Sequence, residues 1–277
     1  MDRNDVGRRL CDYAVNELAN AIACLAWRGP RVHAGVHQAR KSLRRVRATL
    51  ALGAPLLGPG VRLVDRELRK INRGLSKLRD AHALAGALDH LLARHAGDAQ
   101  ATPLLQRALR AAERNRAACT RRELAADPGL RDRGALLATL LAALRGLPWD
   151  LLDAAAAEAG LLRSRADADA ASAVAADDGD ADDWHRWRRR ARRLSQQRRA
   201  LGNPGAGAGT ARHDKRLAIL LGEAQDHTLL HEHCGRKSPF APPDRARLRT
   251  WAEQDLARLR ARIATLAATA KVPAGNA

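Results

Sequence analysis

Two short blocks of this chain carry the residue types that grip phosphate. The first reads Val36-His37-Gln38-Ala39-Arg40-Lys41-Ser42-Leu43-Arg44-Arg45-Val46 and runs on to Arg47. The second reads Trp184-His185-Arg186-Trp187-Arg188-Arg189-Arg190-Ala191-Arg192-Arg193-Leu194. Both follow one pattern: apolar, His, two residues, Arg, a basic residue, one residue, apolar, Arg, Arg, apolar. The guanidinium fork holds two phosphate oxygens at once, and a histidine adds an N–H donor. Catalysis has less to work with. Neither histidine has a nucleophile or carboxylate placed beside it by the sequence. No P-loop, no GxGxxG and no acidic metal-ligand cluster of the kind phosphoryl transfer uses is present. The chemistry expected is binding without turnover, with no cofactor.

A second pair of blocks follows in the same order. Leu75-Ser76-x-x-Arg79-Asp80 answers Leu221-Gly222-x-x-Gln225-Asp226. The histidines are offset by 148 residues and the aspartates by 146. Two matched blocks in one order at nearly one offset mark an internal repeat. Helical geometry gives it meaning. At about 100° per residue, Val36, Ala39, Leu43, Val46 and Leu50 share an apolar stripe. His37, Arg40, Arg44 and Arg47 border that stripe within about 80°. In the second half His185, Arg188 and Arg192 border Trp184, Trp187, Ala191 and Leu194 in the same way. A basic row beside a core stripe belongs at a groove, where like charges are costly unless an anion neutralises them. A single such row could be an ordinary solvated face, but its repetition argues against that. Arg69 and Lys215 align under the second offset, and Arg73 and Arg79 lie in the same stretch. The aspartates cannot bind an anion, so Asp80 and Asp226 are expected either to orient a neighbouring Arg or Lys or to serve as ordinary packing and capping residues.

The elements that must position these rows are helices. Ala, Leu and Arg dominate, and one Phe and one Tyr leave little to build a sheet from. Gly and Pro breaks predict helices over about 5–27, 33–52, 61–95, 102–125, 131–145, 149–165, 183–201, 211–234 and 244–270, an all-α fold. The Asp-rich stretch 166–183 reads as a mobile acidic linker or frayed helix end, and 202–209 as a flexible Gly/Ala loop. The repeat divides the chain into two helical bundles, 1–146 and 147–277, related by a pseudo-twofold axis.

Charge sets the partner class. Lys and Arg number 49 against 30 Asp and Glu, a formal +19, which draws nucleic acid, anionic membrane or polyphosphate. No helix-turn-helix, zinc finger or RNP-like block supports base readout. Nucleic acid, bound without sequence preference, is the alternative partner and otherwise a weaker competitor. His227 and His231 stand at i, i+4 like a metal-ligand pair, but His233 faces elsewhere and no fourth ligand is evident, so no metal is expected. The five tryptophans are expected in the core. Four unpaired cysteines, no apolar leader and no long apolar run read as a soluble, cytoplasmic chain.

These blocks resemble the CHAD family, the conserved-histidine α-helical domain. His37-x-x-Arg40-Lys41-x-x-Arg44-Arg45-x-Arg47 looks like its first histidine block, and His185-x-x-Arg188-Arg189-x-x-Arg192-Arg193 like its second. Leu221-Gly222-x-x-Gln225-Asp226 and Leu75-Ser76-x-x-Arg79-Asp80 look like its Leu-Gly-x-x-Arg-Asp block, with Gln225 and Ser76 as departures. Ser195-Gln196-Gln197 stands where an aromatic residue is common. The resemblance implies two four-helix bundles around a basic groove that binds inorganic polyphosphate without catalysis, and a place at polyphosphate granules. His37, Arg40, Lys41, Arg44, Arg45, Arg47, Arg69, Arg73, Arg79, His185, Arg188, Arg189, Arg192, Arg193 and Lys215 are the candidate contacts.

Overall fold

The computed structural model describes residues 5–177, 179–202, 208–235 and 238–269, and among these every regular element is helical. In chain order they are α1 (Asp5–Leu25), α2 (Val32–Leu52), α3 (Gly60–Gly74), α4 (Ser76–Arg94), α5 (Ala101–Ala126), α6 (Arg131–Arg145), α7 (Ala154–Ala176), α8 (Ala181–Ala200), α9 (Ala208–His233) and α10 (Pro242–Thr269). No helix among the described residues is long and apolar enough to cross a membrane. Most of the expected Gly/Ala loop, 203–207, lies outside the described residues.

Two expectations are corrected. The helix predicted over 61–95 is two helices, because Gly74-Leu75-Ser76 interrupts it at Leu75 (φ −84°, ψ −2°). The matching stretch of the second half runs uninterrupted through α9. The acidic segment 166–183 is also no linker. Through Ala176 it is the second half of α7, and Asp180 then caps α8, accepting from Asp183 N–H while the Asp183 carboxylate accepts from Asp180 N–H. The buried face of α7 is a row of small residues, Ala157, Gly160, Ser164, Ala168, Ala171 and Ala175. Such a row gives a weak hydrophobic signal while letting helices approach closely. Asp167 and Asp169 sit on the exposed face.

The repeat is visible in the packing. α1 packs on α2 as α7 packs on α8, and α4 on α5 as α9 on α10. Across the repeat, α2 meets α8 and α4 meets α9, each helix against its own counterpart. α6 has no counterpart and closes the first core against α1 and α3. The cores do not divide as the sequence halves do. One cluster joins α1, α2, α3 and α6 to Leu152 and Ala157. A second joins Leu84, Leu88 and Leu105 of the first half to Leu230, Phe240 and Leu248 of the second. A third, around Trp187, Leu221 and Ile263, belongs to the second half. Trp149 and Trp187 are core residues, whereas Trp27, Trp184 and Trp251 are partly exposed and lie under Arg31, Arg260 and Arg247.

Gly160 marks a close approach between the halves. A Cβ there would stand 2.3 Å from the Leu52 carbonyl oxygen. Gly160→Ala is therefore expected to cost about 1–3 kcal/mol, read as a lower midpoint in thermal or urea unfolding. Gly222→Ala meets nothing within 4 Å and should instead stabilise α9 by about 0.5–1 kcal/mol.

Candidate functional site

The two histidine blocks meet where α2 and α8 pack together. One cavity of about 530 Å³ is lined by His37, Arg40 and Arg44 of α2, Ser76, Arg79 and Asp80 of α4, His185, Arg188 and Arg192 of α8, and Gln225 of α9. A second, of about 550 Å³, shares Arg40, Arg44, His185, Arg188 and Arg192 with the first. It adds Arg47, Arg69, Arg186, Arg189, Arg190 and Arg193, and no carboxylate lines it. The five shared residues make the two cavities one groove floored by equivalent rows from both halves.

The floor is electrostatically strained. Burial, then Arg192, Arg40 and Arg79, push Arg44 down to about 9. Burial, then Arg192, Arg79 and Arg44, push Arg188 down to about 8, with Asp226 opposing. Burial and neighbouring arginines also lower Arg192 and Arg193, and burial lowers Arg40 against the pull of Asp80. Arginine keeps its proton in proteins, so the strain is positive charge that is only partly compensated. The Nε–H groups of Arg40, Arg44 and Arg188 are buried without a protein acceptor. Buried donors are normally paired, and an anion placed in the groove would supply both the missing acceptors and the missing charge.

The acidic residues of this site pair with Arg79. Asp226 of α9 accepts from Arg79 of α4 at 3.3 Å, and Asp80 lies 3.7 Å from the same guanidinium. Both aspartates converge on Arg79 because its counterpart is the neutral Gln225. The Gln225 amide oxygen instead stands 2.7 Å from His185 Nδ1 and accepts from Arg188 at 3.5 Å. Facing an amide oxygen, His185 Nδ1 is the donor of that contact. His37 has no such partner in its first-half setting. Its partial burial, then Arg44, Arg79 and Lys41, hold it below the usual histidine range.

Not every candidate reaches the groove. Arg45 is tied to Glu17 at 2.6 Å, and the Ser42 hydroxyl donates to the same carboxylate. Lys41, Arg73 and Lys215 do not line either cavity, and the last two are exposed. Arg47 lines the groove while held bidentately by Asp65 at 2.7 and 3.2 Å. The sequence reading missed Arg186, Arg190 and Asn72. Arg186, Arg189, Arg190 and Arg193 form a second basic row at i, i+3, i+4 and i+7, a signal present in the spacing. Asn72 contributes through its backbone carbonyl, which accepts from Arg40, and no residue type announces that. Gly222 is open rather than tightly packed, so close helix approach does not explain it. His227 faces Asp255 at 3.5 Å and His231 faces Glu253 at 3.0 Å, two different carboxylates.

A family model described as the CHAD domain matches residues 17–235. Two solved structures share the fold. PptA from Streptomyces chartreusis is 19% identical with a TM-score of 0.69, covering 95% of this chain and 99% of that one. The CHAD domain from the plant Ricinus communis is 20% identical with a TM-score of 0.70, covering 99% of this chain and 95% of that one. Nothing among curated protein sequences matches.

The strain in the floor has a measurable sign. A buried charge repelled by its neighbours lowers stability, and an apolar side chain of similar length removes both the desolvation and the repulsion. Arg188→Met is expected to raise the unfolding midpoint without anion and to shrink the further rise that added polyanion gives the unmodified chain. A fall in the anion-free midpoint would mean that Arg188 holds the α8–α9 contact through Gln225 instead.

Proposed function

The chain belongs to the CHAD domain family, and from that premise we propose that it binds inorganic polyphosphate in the groove between α2 and α8, without turning it over. The observation that carries this reading is the floor itself. Arginines from two equivalent rows are recessed, short of counter-charge and left with unpaired Nε–H donors. A thin, flexible chain with a charge on every unit can reach such donors along its length. A duplex presents its phosphates on a wide, stiff surface that favours protruding side chains. Single-stranded nucleic acid favours aromatic platforms for its bases, and no Trp, Tyr or Phe lines either cavity. His37 and His185 serve as hydrogen-bonding groups, since each faces arginine or amide and no nucleophile. This reading goes with a cytoplasmic protein that gathers where polyphosphate accumulates.

At near-physiological salt, long-chain polyphosphate should outcompete duplex DNA and RNA of equal phosphate content in a competition titration. Stronger binding of duplex would favour the nucleic-acid reading.

Charge-assisted contacts contribute about 1.5–3 kcal/mol each. Arg44→Ala combined with Arg188→Ala should therefore weaken polyphosphate binding at least about a hundredfold. Arg110→Ala with Arg114→Ala, exposed on α5 and outside the groove, removes the same net charge and should change affinity far less. Equal losses would mean that only net charge counts.

A further inference from the structure

Beyond the groove, a separate open cleft of about 540 Å³ lies between the start of α2, α4 and α5. His33, His82, Arg116, Thr120 and Arg121 line it, and no carboxylate does. His33 and His82 stack across it with ring centroids 5.2 Å apart and planes 15° from parallel. His33 Nε2 meets the Thr120 hydroxyl at 3.1 Å. The cleft continues the groove along the same two helices. On α2, His33 stands one turn before His37, and on α4, His82 stands one turn after Arg79. The rows are close enough for charge on His82 to act on His37 and charge on Arg79 to act on His82.

The second-half side of the His37 cavity is built differently. Under the repeat's offsets His33 answers to Ala181 and His82 to Thr228. Both line the groove there, and Asp182 and Glu232 stand beside them. A polyanion leaving past Ala181 meets carboxylates, whereas leaving past His37 it meets histidine and arginine, as it meets arginine on the side of the second cavity.

We propose that the His33–His82–Arg116 cleft is a further phosphate subsite, which holds the part of a long polyphosphate chain that emerges from the groove past His37. This rests on the groove reading and adds an exit: past His37, the chain runs out at the first-half end. Partial burial and neighbouring charge, from Arg116 for both and from Arg79 for His82, hold both histidines below their usual range. Bound phosphate must therefore raise their titration midpoints.

The test compares inorganic triphosphate, short enough for the central groove alone, with long-chain polyphosphate in calorimetric titrations. His82→Gln with Arg116→Gln should weaken long-chain binding about tenfold, the loss of one charge-assisted contact, and leave triphosphate binding within about twofold. The exposed Arg121→Gln, with little risk to folding, should shift the same way by less. In the unmodified chain, the His33 and His82 imidazole NMR titrations should move to higher pH with long-chain polyphosphate and stay put with triphosphate. Equal losses for both ligands, no loss for either, or histidine midpoints unmoved by the long chain would overturn the subsite while leaving the groove intact. If the unmodified chain binds neither ligand, the groove reading fails and the subsite with it.

Discussion

The structure is organised around one unfavourable arrangement, the convergence of half-buried guanidinium groups where α2 meets α8. Each of Arg40, Arg44, Arg188 and Arg192 loses hydration and repels the others. In water such charges would separate. They are held together because each row borders an apolar stripe that must be buried. Leu43 and Val46 on α2, and Trp187 and Leu194 on α8, are buried, and burying them brings the arginines along. The hydrophobic stripe therefore supplies the free energy that keeps the positive charge concentrated.

Compensation is partial and placed at the edges. Asp80 and Asp226 meet at Arg79 and fix its direction, while Asp65 holds Arg47 at the arginine-rich end. Arg45 is withdrawn from the groove altogether by Glu17. The carboxylates orient the rim, and the floor is left short of negative charge. A fully neutralised floor would be more stable and would have nothing to offer an anion, so the deficit suits the binding role proposed for this groove.

The repeat makes this possible with few residue types, and its departures from symmetry are where the two halves take on different duties. Gln225 in place of a second Arg79 removes one charge from the floor and gives His185 a fixed neighbour. The break at Leu75 re-aims α4 relative to α3, whereas α9 runs straight through the same position. Histidines at the outer end of the first half become Ala181 and Thr228 in the second. Each departure changes local charge or direction while leaving the α1–α2 and α7–α8 pairings alike.

Local chemistry made much of this legible from sequence. Apolar spacing and breakers placed α1, α2, α6 and α8 within a residue or two, and the row His37, Arg40, Arg44 follows from helical period alone. The chain's belonging to the CHAD domain family likewise rests on motifs visible in order along the sequence. Interactions between distant segments were not legible. Residues 166–176 are helical because they continue the small-residue face of α7, which meets Leu52 at Gly160 and packs along α8, and alanine periodicity carries too little hydrophobic contrast to announce that. Arg45 and Arg44 are neighbours of one type in one motif, yet Glu17 takes the first and the groove takes the second. The stack of His33 on His82 joins two helices that the sequence separates by a third. Spacing fixes which face of a helix a side chain occupies; only the packing of that helix decides what the face meets.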